Sequence, residues 1–205
     1  YIKYNTKMRE NEKQDSTIEY YNKNSTEFVS RTVDIDMSNI YPKFTSLLPC
    51  DGKILDAGCG SGRDSRYFLS QGFEVVAIDA SEEMVKCASK LTGQDALQMK
   101  FEDVPFEDEF DGIWACASLL HIEKEQLVFN LNKLLNTLKS GGVVYISLKE
   151  SKSSVPDGGR HFSYYNESEL NNIIVSQPNV DLLDIWIEEQ EDFKWVNVLA
   201  RKVKS

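Results

Sequence analysis

The chain has 205 residues, 41% of them hydrophobic, which is enough to bury the core of one α/β domain but too few for two. Its 33 acidic and 23 basic side chains give a net charge of −10, which argues against nucleic acid or anionic membranes as partners. No apolar run approaches the roughly 18 residues of a membrane span, and residues 1–15 lack the character of a signal peptide, so we expect a cytoplasmic protein.

The order of predicted elements is typical of an α/β fold. Two helices, 16–32 and 38–48, are predicted ahead of the first strand, with Pro42 in the first turn or so of the second helix. From Lys53 onward, short apolar runs alternate with amphipathic stretches, the pattern of a parallel sheet covered on both faces. The predicted strands are 53–57, 73–79, 97–101, 111–117, 143–148, 180–187 and 194–202, and the helices between them are 61–71, 81–91, 123–139 and one beginning near Asn166.

The last two predicted strands are joined by the short acidic segment 188–192, which implies an antiparallel pair. We therefore predict a Rossmann-like three-layer α/β sandwich, in which a mostly parallel seven-stranded sheet ends in an antiparallel C-terminal strand. A single domain, 1–205, is expected, with residues 1–50 as a helical lid over a ligand-binding sheet, 51–205.

A glycine-rich turn follows the first predicted strand, in the stretch Ile54-Leu55-Asp56-Ala57-Gly58-Cys59-Gly60-Ser61-Gly62-Arg63-Asp64-Ser65. The dinucleotide fingerprint G-x-G-x-x-G requires a third glycine at position 63, where this chain has an arginine. A carboxylate, Asp56, also stands two residues before the first glycine, where it would oppose a pyrophosphate. S-adenosylmethionine carries an ammonium and a sulfonium group, so the charge of this turn favours it over a dinucleotide.

Three blocks in this order resemble the class I S-adenosylmethionine-dependent methyltransferases over roughly residues 16–202. They are Leu55 to Ser65, Val76-Ala77-Ile78-Asp79-Ala80-Ser81, and Phe110-Asp111-Gly112-Ile113-Trp114 leading to Leu119-Leu120-His121. The brevity of the chain and its segment 60–65 are also similar to small bacterial methyltransferases of the tellurite-resistance type. The resemblance implies S-adenosylmethionine as cofactor.

The same resemblance implies a cofactor site at the carboxyl edge of the sheet. Backbone at Gly58 and Gly60 and the carboxylate of Asp56 would hold the ammonium, and Asp79 would accept hydrogen bonds from the ribose. The other residues expected against the cofactor are Tyr21 and Arg31 of the lid, Ala57, Arg63 and Asp64 at the turn, Ala80 and Met84 beside adenine, Phe101 and Glu102 after the third strand, and Cys116 and Ala117 after the fourth. Many family members carry an acidic residue where Lys100 stands, which leaves the partner of the adenine amino group open.

Methyl transfer depends mainly on alignment, so the sequence need not show a nucleophilic triad. His121, just past the fourth strand, is the candidate catalytic base or substrate contact, with a purely structural histidine as the alternative. His161, beside Arg160 and followed by Phe162, either lines an acceptor pocket or belongs to a solvated loop whose aromatic residues pack on the sheet. Arg63 and Asp64 have a solvated first helical turn as their alternative.

Four cysteines, Cys50, Cys59, Cys87 and Cys116, are far apart in sequence, and only two histidines accompany them, so we expect no metal site and buried, reduced thiols. A small-molecule methyl acceptor is favoured because no recognition domain is appended, and either a monomer or a homodimer is compatible with the sequence. Two other functions stay open at this point: a NAD-dependent oxidoreductase, and a protein that binds S-adenosylmethionine without catalysis.

Overall fold

The computed structural model describes residues 2–150, 158–190 and 193–203. The predicted acidic segment 188–192 falls partly outside these residues. The helices are α1 (Ile2–Thr32), α2 (Tyr41–Thr45), α3 (Arg63–Ser70), α4 (Glu82–Thr92), α5 (Lys124–Thr137) and α6 (Glu167–Val175). The strands are β1 (Lys53–Ala57), β2 (Glu74–Asp79), β3 (Leu97–Gln98), β4 (Phe110–Cys116), β5 (Leu138–Lys149), β6 (Val180–Gln190) and β7 (Phe193–Lys202).

The strands form one seven-stranded sheet in the order β3-β2-β1-β4-β5-β7-β6. Neighbours from β3 to β5 are parallel, whereas β7 runs antiparallel to both β5 and β6. This arrangement confirms the predicted mostly parallel sheet with an antiparallel C-terminal strand.

The two faces of the sheet bury separate apolar clusters. On one face, Leu55, Ile113 and Val144 pack with the leucines of α5. On the other, Trp114 and Tyr145 pack with Phe44 of α2 and Phe68 of α3. Successive residues of a strand point to opposite faces of the sheet, so neighbouring residues of β4 belong to different clusters. The result is a three-layer sandwich with helices on both sides of the sheet.

Local sequence signals fix several helix ends. The Ser81 hydroxyl accepts a hydrogen bond from the Met84 amide and caps the start of α4. Asn166 and Glu169 form a reciprocal capping box at the start of α6. In α5, the predicted helical spacing is observed as buried Leu127, Leu131, Leu134 and Leu135.

Several boundaries differ from the predicted ones for local reasons. Helix α3 begins at Arg63 rather than at residue 61, because Gly60 and Gly62 have positive φ angles. The third strand is shorter than predicted, since Phe101–Asp103 form a 3-10 helix. The Gly141-Gly142 pair does not separate α5 from the next strand; it lies in a bulge near the start of β5.

The N-terminal helix α1 has a kink at Asn24, whose φ and ψ of −115° and 19° are not helical. The predicted second helix is reduced to α2, with Pro42 near its start, as expected. Cys50 is exposed, contrary to the expectation of buried thiols, whereas Cys59 is buried. No helix within the described residues is long and apolar enough to cross a bilayer.

Candidate functional site

A cavity of about 480 Å³ lies at the carboxyl ends of the central strands, between the sheet and α1. This volume is in the usual range for small-molecule sites. One end of the cavity is lined by the glycine turn and by Asp79, Met84 and Phe101. The other end is lined by residues that follow β4 and β5 and by β7, so the cavity extends across much of the sheet edge. Ligands of open α/β sheets bind at this edge.

The glycine turn approaches its neighbours too closely for side chains. Gly58 has a φ of +84°, and a Cβ atom there would lie 2.4 Å from the Cβ of Ser118. Gly62 has a φ of +81°, and a Cβ atom there would lie 2.8 Å from the Cα of Ala88 in α4. Gly62 therefore allows close packing of α3 on α4, and Gly58 leaves the backbone open towards the cavity.

Asp79 ends β2 and lines the cavity. Its two carboxylate oxygens accept hydrogen bonds from the amides of Gly60 and Ser81, both at 2.9 Å. Burial raises the pKa of Asp79, while these backbone donors act in the opposite direction. Each carboxylate oxygen can accept a second hydrogen bond, so Asp79 joins the glycine turn to the cavity and still has capacity for two ligand hydroxyls.

Asp56 does not line the cavity, although it was expected to contact the ammonium of the cofactor. Its buried carboxyl group is within 2.6 Å of the Ser65 hydroxyl, on the face of the sheet that α3 covers. Burial and the neighbouring Asp64 raise the pKa of Asp56 to about 8. Near neutral pH this carboxyl group is therefore mostly protonated, which is unfavourable for attracting a cation.

Asp64 is the centre of a buried network that joins α2, α3 and β4. Arg63 donates to both oxygens of Asp64, at 2.7 and 2.9 Å. The same carboxylate accepts hydrogen bonds from the Tyr41 hydroxyl at 2.6 Å and from the Trp114 indole at 2.9 Å. Arg63 and Asp64 therefore do not form a solvated helical turn; they line the cavity and also tie α2 to the sheet.

Tyr21 of α1 meets His121 inside the cavity. The His121 Nδ1 lies 2.7 Å from the backbone oxygen of His161, which can only accept, so this nitrogen carries the proton. The other ring nitrogen, Nε2, then accepts from the Tyr21 hydroxyl at 2.8 Å. Burial lowers the pKa of His121 to about 3 and raises that of Tyr21 to about 12, so both side chains are neutral near pH 7.

The cavity brings together most of the residues predicted for the site. Those that line it are Tyr21, Arg31, Gly58, Gly60, Arg63, Asp64, Asp79, Ala80, Met84, Phe101, Cys116, Ala117 and His121. Asp56, Ala57 and Glu102 do not line it: the first two are buried in the strand below the turn, and Glu102 is exposed on the 3-10 helix. Arg31 is at the rim, with about half of its side chain exposed and Glu27 at 3.8 Å.

Sequence reasoning missed Ser118. Its hydroxyl is buried beside Gly58 and lines the cavity, and it has no hydrogen-bond partner among the described residues. A buried hydroxyl without a partner is costly unless a ligand or water satisfies it. Nothing in the sequence marks Ser118 except its place directly after Ala117, whose positive φ of 52° turns the chain at the end of β4.

Known proteins are similar to this chain in sequence and in fold. Residues 55–146 match the family described as a methyltransferase domain. An uncharacterized methyltransferase of Staphylococcus carnosus is 28% identical over 145 residues, which cover 70% of this chain and 68% of that protein. The putative methyltransferase YqeM of Bacillus subtilis is 30% identical over 51% of this chain, but the match spans only 45% of its own length. Matches to several further curated relatives span about half of their length or less.

Among solved structures, the 1,6-didemethyltoxoflavin-N1-methyltransferase of Burkholderia thailandensis superimposes with a TM-score of 0.68 at 24% identity. The superposition covers 88% of this chain and 87% of that one. The fold is that of the S-adenosylmethionine-dependent methyltransferases. Proteins of the matched methyltransferase family use S-adenosylmethionine, which confirms the cofactor predicted from the sequence. The finer resemblance to enzymes of the tellurite-resistance type stays a prediction.

Proposed function

We propose that this chain is an S-adenosylmethionine-dependent methyltransferase that acts on a small molecule. The observation that supports the proposal most strongly is a single cavity whose two ends are lined by different kinds of residue. A carboxylate and a glycine turn stand at one end, and a tyrosine–histidine pair stands towards the other. The Burkholderia relative, whose structure contains a small molecule and S-adenosylhomocysteine, supports a small acceptor by analogy.

The residues at the glycine-turn end fit the cofactor chemically. Asp79 would hold the ribose hydroxyls, and the apolar side chains of Met84 and Phe101 would flank the adenine. The unpartnered Ser118 hydroxyl and the open backbone at Gly58 are suited to polar groups of the methionine part. When bound, the cofactor supplies a methyl group that is already activated by a sulfonium. Arg31, at the rim, keeps its predicted place at the cofactor as part of this proposal, whereas Ala57 and Glu102, which do not line the cavity, are assigned no contact with it.

The protein would align the acceptor with the methyl group and, where the acceptor releases a proton, would accept that proton. The residues that line the cavity would align an electron pair of the acceptor with the methyl group of the bound cofactor. A proton released by the acceptor can pass to the Tyr21 oxygen while the Tyr21 proton moves to Nε2 of His121. Because burial makes His121 a weak base, an acceptor that arrives without this proton suits the pair better.

The N-terminal helix would serve as the lid in this scheme, within one methyltransferase domain. Three of its side chains contact the segment after β5: Ser16 donates to the Gly159 oxygen at 3.3 Å, Thr17 accepts from the His161 amide at 2.8 Å, and Tyr20 lies under Arg160. These contacts hold α1 beside the cavity, which it lines through Thr17, Ile18 and Tyr21. The cytoplasmic location remains a prediction.

Calorimetric titration tests the cofactor half of the proposal. We expect S-adenosylhomocysteine to bind the wild-type chain and NAD not to bind. Asp79→Asn should weaken S-adenosylhomocysteine binding by roughly tenfold to a hundredfold, because a hydrogen bond to a charged group contributes about 1.5–3 kcal/mol. Asp95→Asn, at an exposed position before β3, is the matched control, and thermal unfolding verifies that both variants are folded. Preferential binding of NAD would overturn the proposal in favour of an oxidoreductase.

Transfer of a radiolabelled methyl group to a panel of small acids, phenols, amines and thiols tests the catalytic half. Labelled product with the wild-type chain, reduced in Tyr21→Phe and His121→Gln, is the expected result. Binding of S-adenosylhomocysteine without transfer to any acceptor class would contradict catalysis and favour a non-catalytic binding protein.

A further inference from the structure

The far end of the cavity is basic in a chain whose net charge is −10. Two cationic side chains and the neutral imidazole of His121 surround the ring of Phe162. The Lys149 ammonium lies 4.7 Å from the ring centroid, the Arg160 guanidinium lies 5.0 Å from it, and the His121 ring centroid lies 4.8 Å from it. All four residues line the cavity, and we call them the basic end. None of the cofactor contacts proposed above uses Lys149 or Arg160.

The sheet fixes the position of Lys149. It is the last residue of β5 and is paired with Trp195 of β7, which in turn is paired with Glu188 of β6. Because paired residues point to the same face, Lys149, Trp195 and Glu188 form a row across three strands, and all three line the cavity. The Trp195 ring lies 5.6 Å from the Lys149 ammonium and adds a second flat wall beside Phe162.

Charged side chains of both signs line this end. Glu188 is the acidic residue of the row, and it is 3.4 Å from the Trp186 indole nitrogen, which donates to it. Among the described residues that line this end, Lys149 and Arg160 are the cations that contact the ring of Phe162. The pKa of His121, lowered mainly by burial, is lowered further by the nearby charges of Arg160 and Lys149, which line the same cavity. A partly enclosed site of this kind favours an anion, since charge interactions are stronger away from water.

We propose that the methyl acceptor is a flat acid: a planar, unsaturated or aromatic molecule that carries a carboxylate or a similar oxyanion. Lys149 and Arg160 bind the oxyanion, and the rings of Phe162 and Trp195 flank the planar body. This inference rests on the proposed function, because it assigns an acceptor to the same cavity. Where the oxyanion itself receives the methyl group, no proton has to be removed, which is compatible with the weakly basic His121.

Two probes of equal size and different charge test this inference. The dissociation constants of 2-naphthoate and 2-naphthamide are measured by calorimetry on the chain saturated with S-adenosylhomocysteine. The wild-type chain should bind the acid at least about tenfold more tightly than the amide, which is the ratio that about 1.4 kcal/mol produces. Lys149→Met and Arg160→Met should each reduce this ratio, and the double variant should bring it close to one. Glu188→Gln should raise it.

The matched control is Lys133→Met. Lys133 lies 5.9 Å from the ring of Phe129 on α5, so it is also a cation over an aromatic ring, but it does not line the cavity. This variant should leave the ratio unchanged. Equal binding of the two probes to the wild-type chain, or tighter binding of 2-naphthylmethylammonium than of the acid, would overturn the inference. Failure of S-adenosylhomocysteine itself to bind would instead overturn the proposed function, so the two failures are distinguishable.

Discussion

Replacement of Gly58 by alanine should destabilise the glycine turn through two separate effects. The φ of +84° is a left-handed conformation, which costs a residue with a Cβ atom about 1–2 kcal/mol. The new Cβ would also lie 2.4 Å from the Cβ of Ser118, well inside ordinary contact distance, and overpacking of this kind costs about 1–3 kcal/mol. Gly58→Ala should therefore lower the free energy of unfolding by roughly 2–5 kcal/mol and weaken binding of S-adenosylhomocysteine.

Two further variants separate the backbone effect from the clash. Gly93 has a φ of +72°, and no atom lies within 4 Å of the position that a new Cβ would take there. Gly93→Ala should therefore lower the free energy of unfolding only by the cost of the left-handed backbone conformation. Ser118→Gly removes the clashing Cβ atom, and the double variant with Gly58→Ala should recover about 1–3 kcal/mol in a double-mutant cycle. Urea unfolding at 25 °C and titration with S-adenosylhomocysteine measure both quantities. The reasoning is refuted if Gly58→Ala costs no more than Gly93→Ala, or if Ser118→Gly recovers nothing.

Two other predictions concern the buried carboxylates. Tyr41→Phe removes the hydroxyl that donates to Asp64 at 2.6 Å, so it should lower stability by about 1.5–3 kcal/mol in urea unfolding, whereas Tyr67→Phe on the stacked neighbouring ring should cost less. Because the pKa of Asp56 is raised to about 8, the folded chain keeps a proton that the unfolded chain has already released, so the contribution of Asp56 to stability falls as the pH rises towards 8. Between pH 6.5 and 8, the free energy of unfolding of the wild-type chain should fall by up to about 1.4 kcal/mol per pH unit relative to that of Asp56→Asn. The same pH dependence in both chains would contradict the raised pKa.

Much of the fold could be predicted because each of its signals is local. Apolar runs mark the strands, and leucines at helical spacing mark α5. The short connection between the last two strands allows only an antiparallel pair. Boundaries were less predictable where backbone geometry decides them. Gly60 and Gly62 delay the start of α3 through positive φ angles, which the letters of the sequence do not reveal.

The residues of the candidate site could be predicted where they belong to one sequence motif. They were less predictable where the fold brings distant segments together. The glycine turn and Asp79 are close in sequence and in space. Asp56 is equally close in sequence, but its side chain points to the face under α3, because successive residues of a strand alternate between faces. Ser118 and the pairing of Tyr21 with His121 depend on contacts between distant segments, for which a single sequence offers no signal.

The two ends of the cavity come from different parts of the chain. The turn and Asp79 belong to the stretch that matches the methyltransferase family, residues 55–146, whereas Lys149, Arg160 and Trp195 all follow it. We expect a chimaera that keeps residues 55–146, and takes the segment after them from a relative, to bind the same cofactor and to prefer a different acceptor. If the proposed function is correct, such a division would let natural variation change the acceptor without altering the cofactor site.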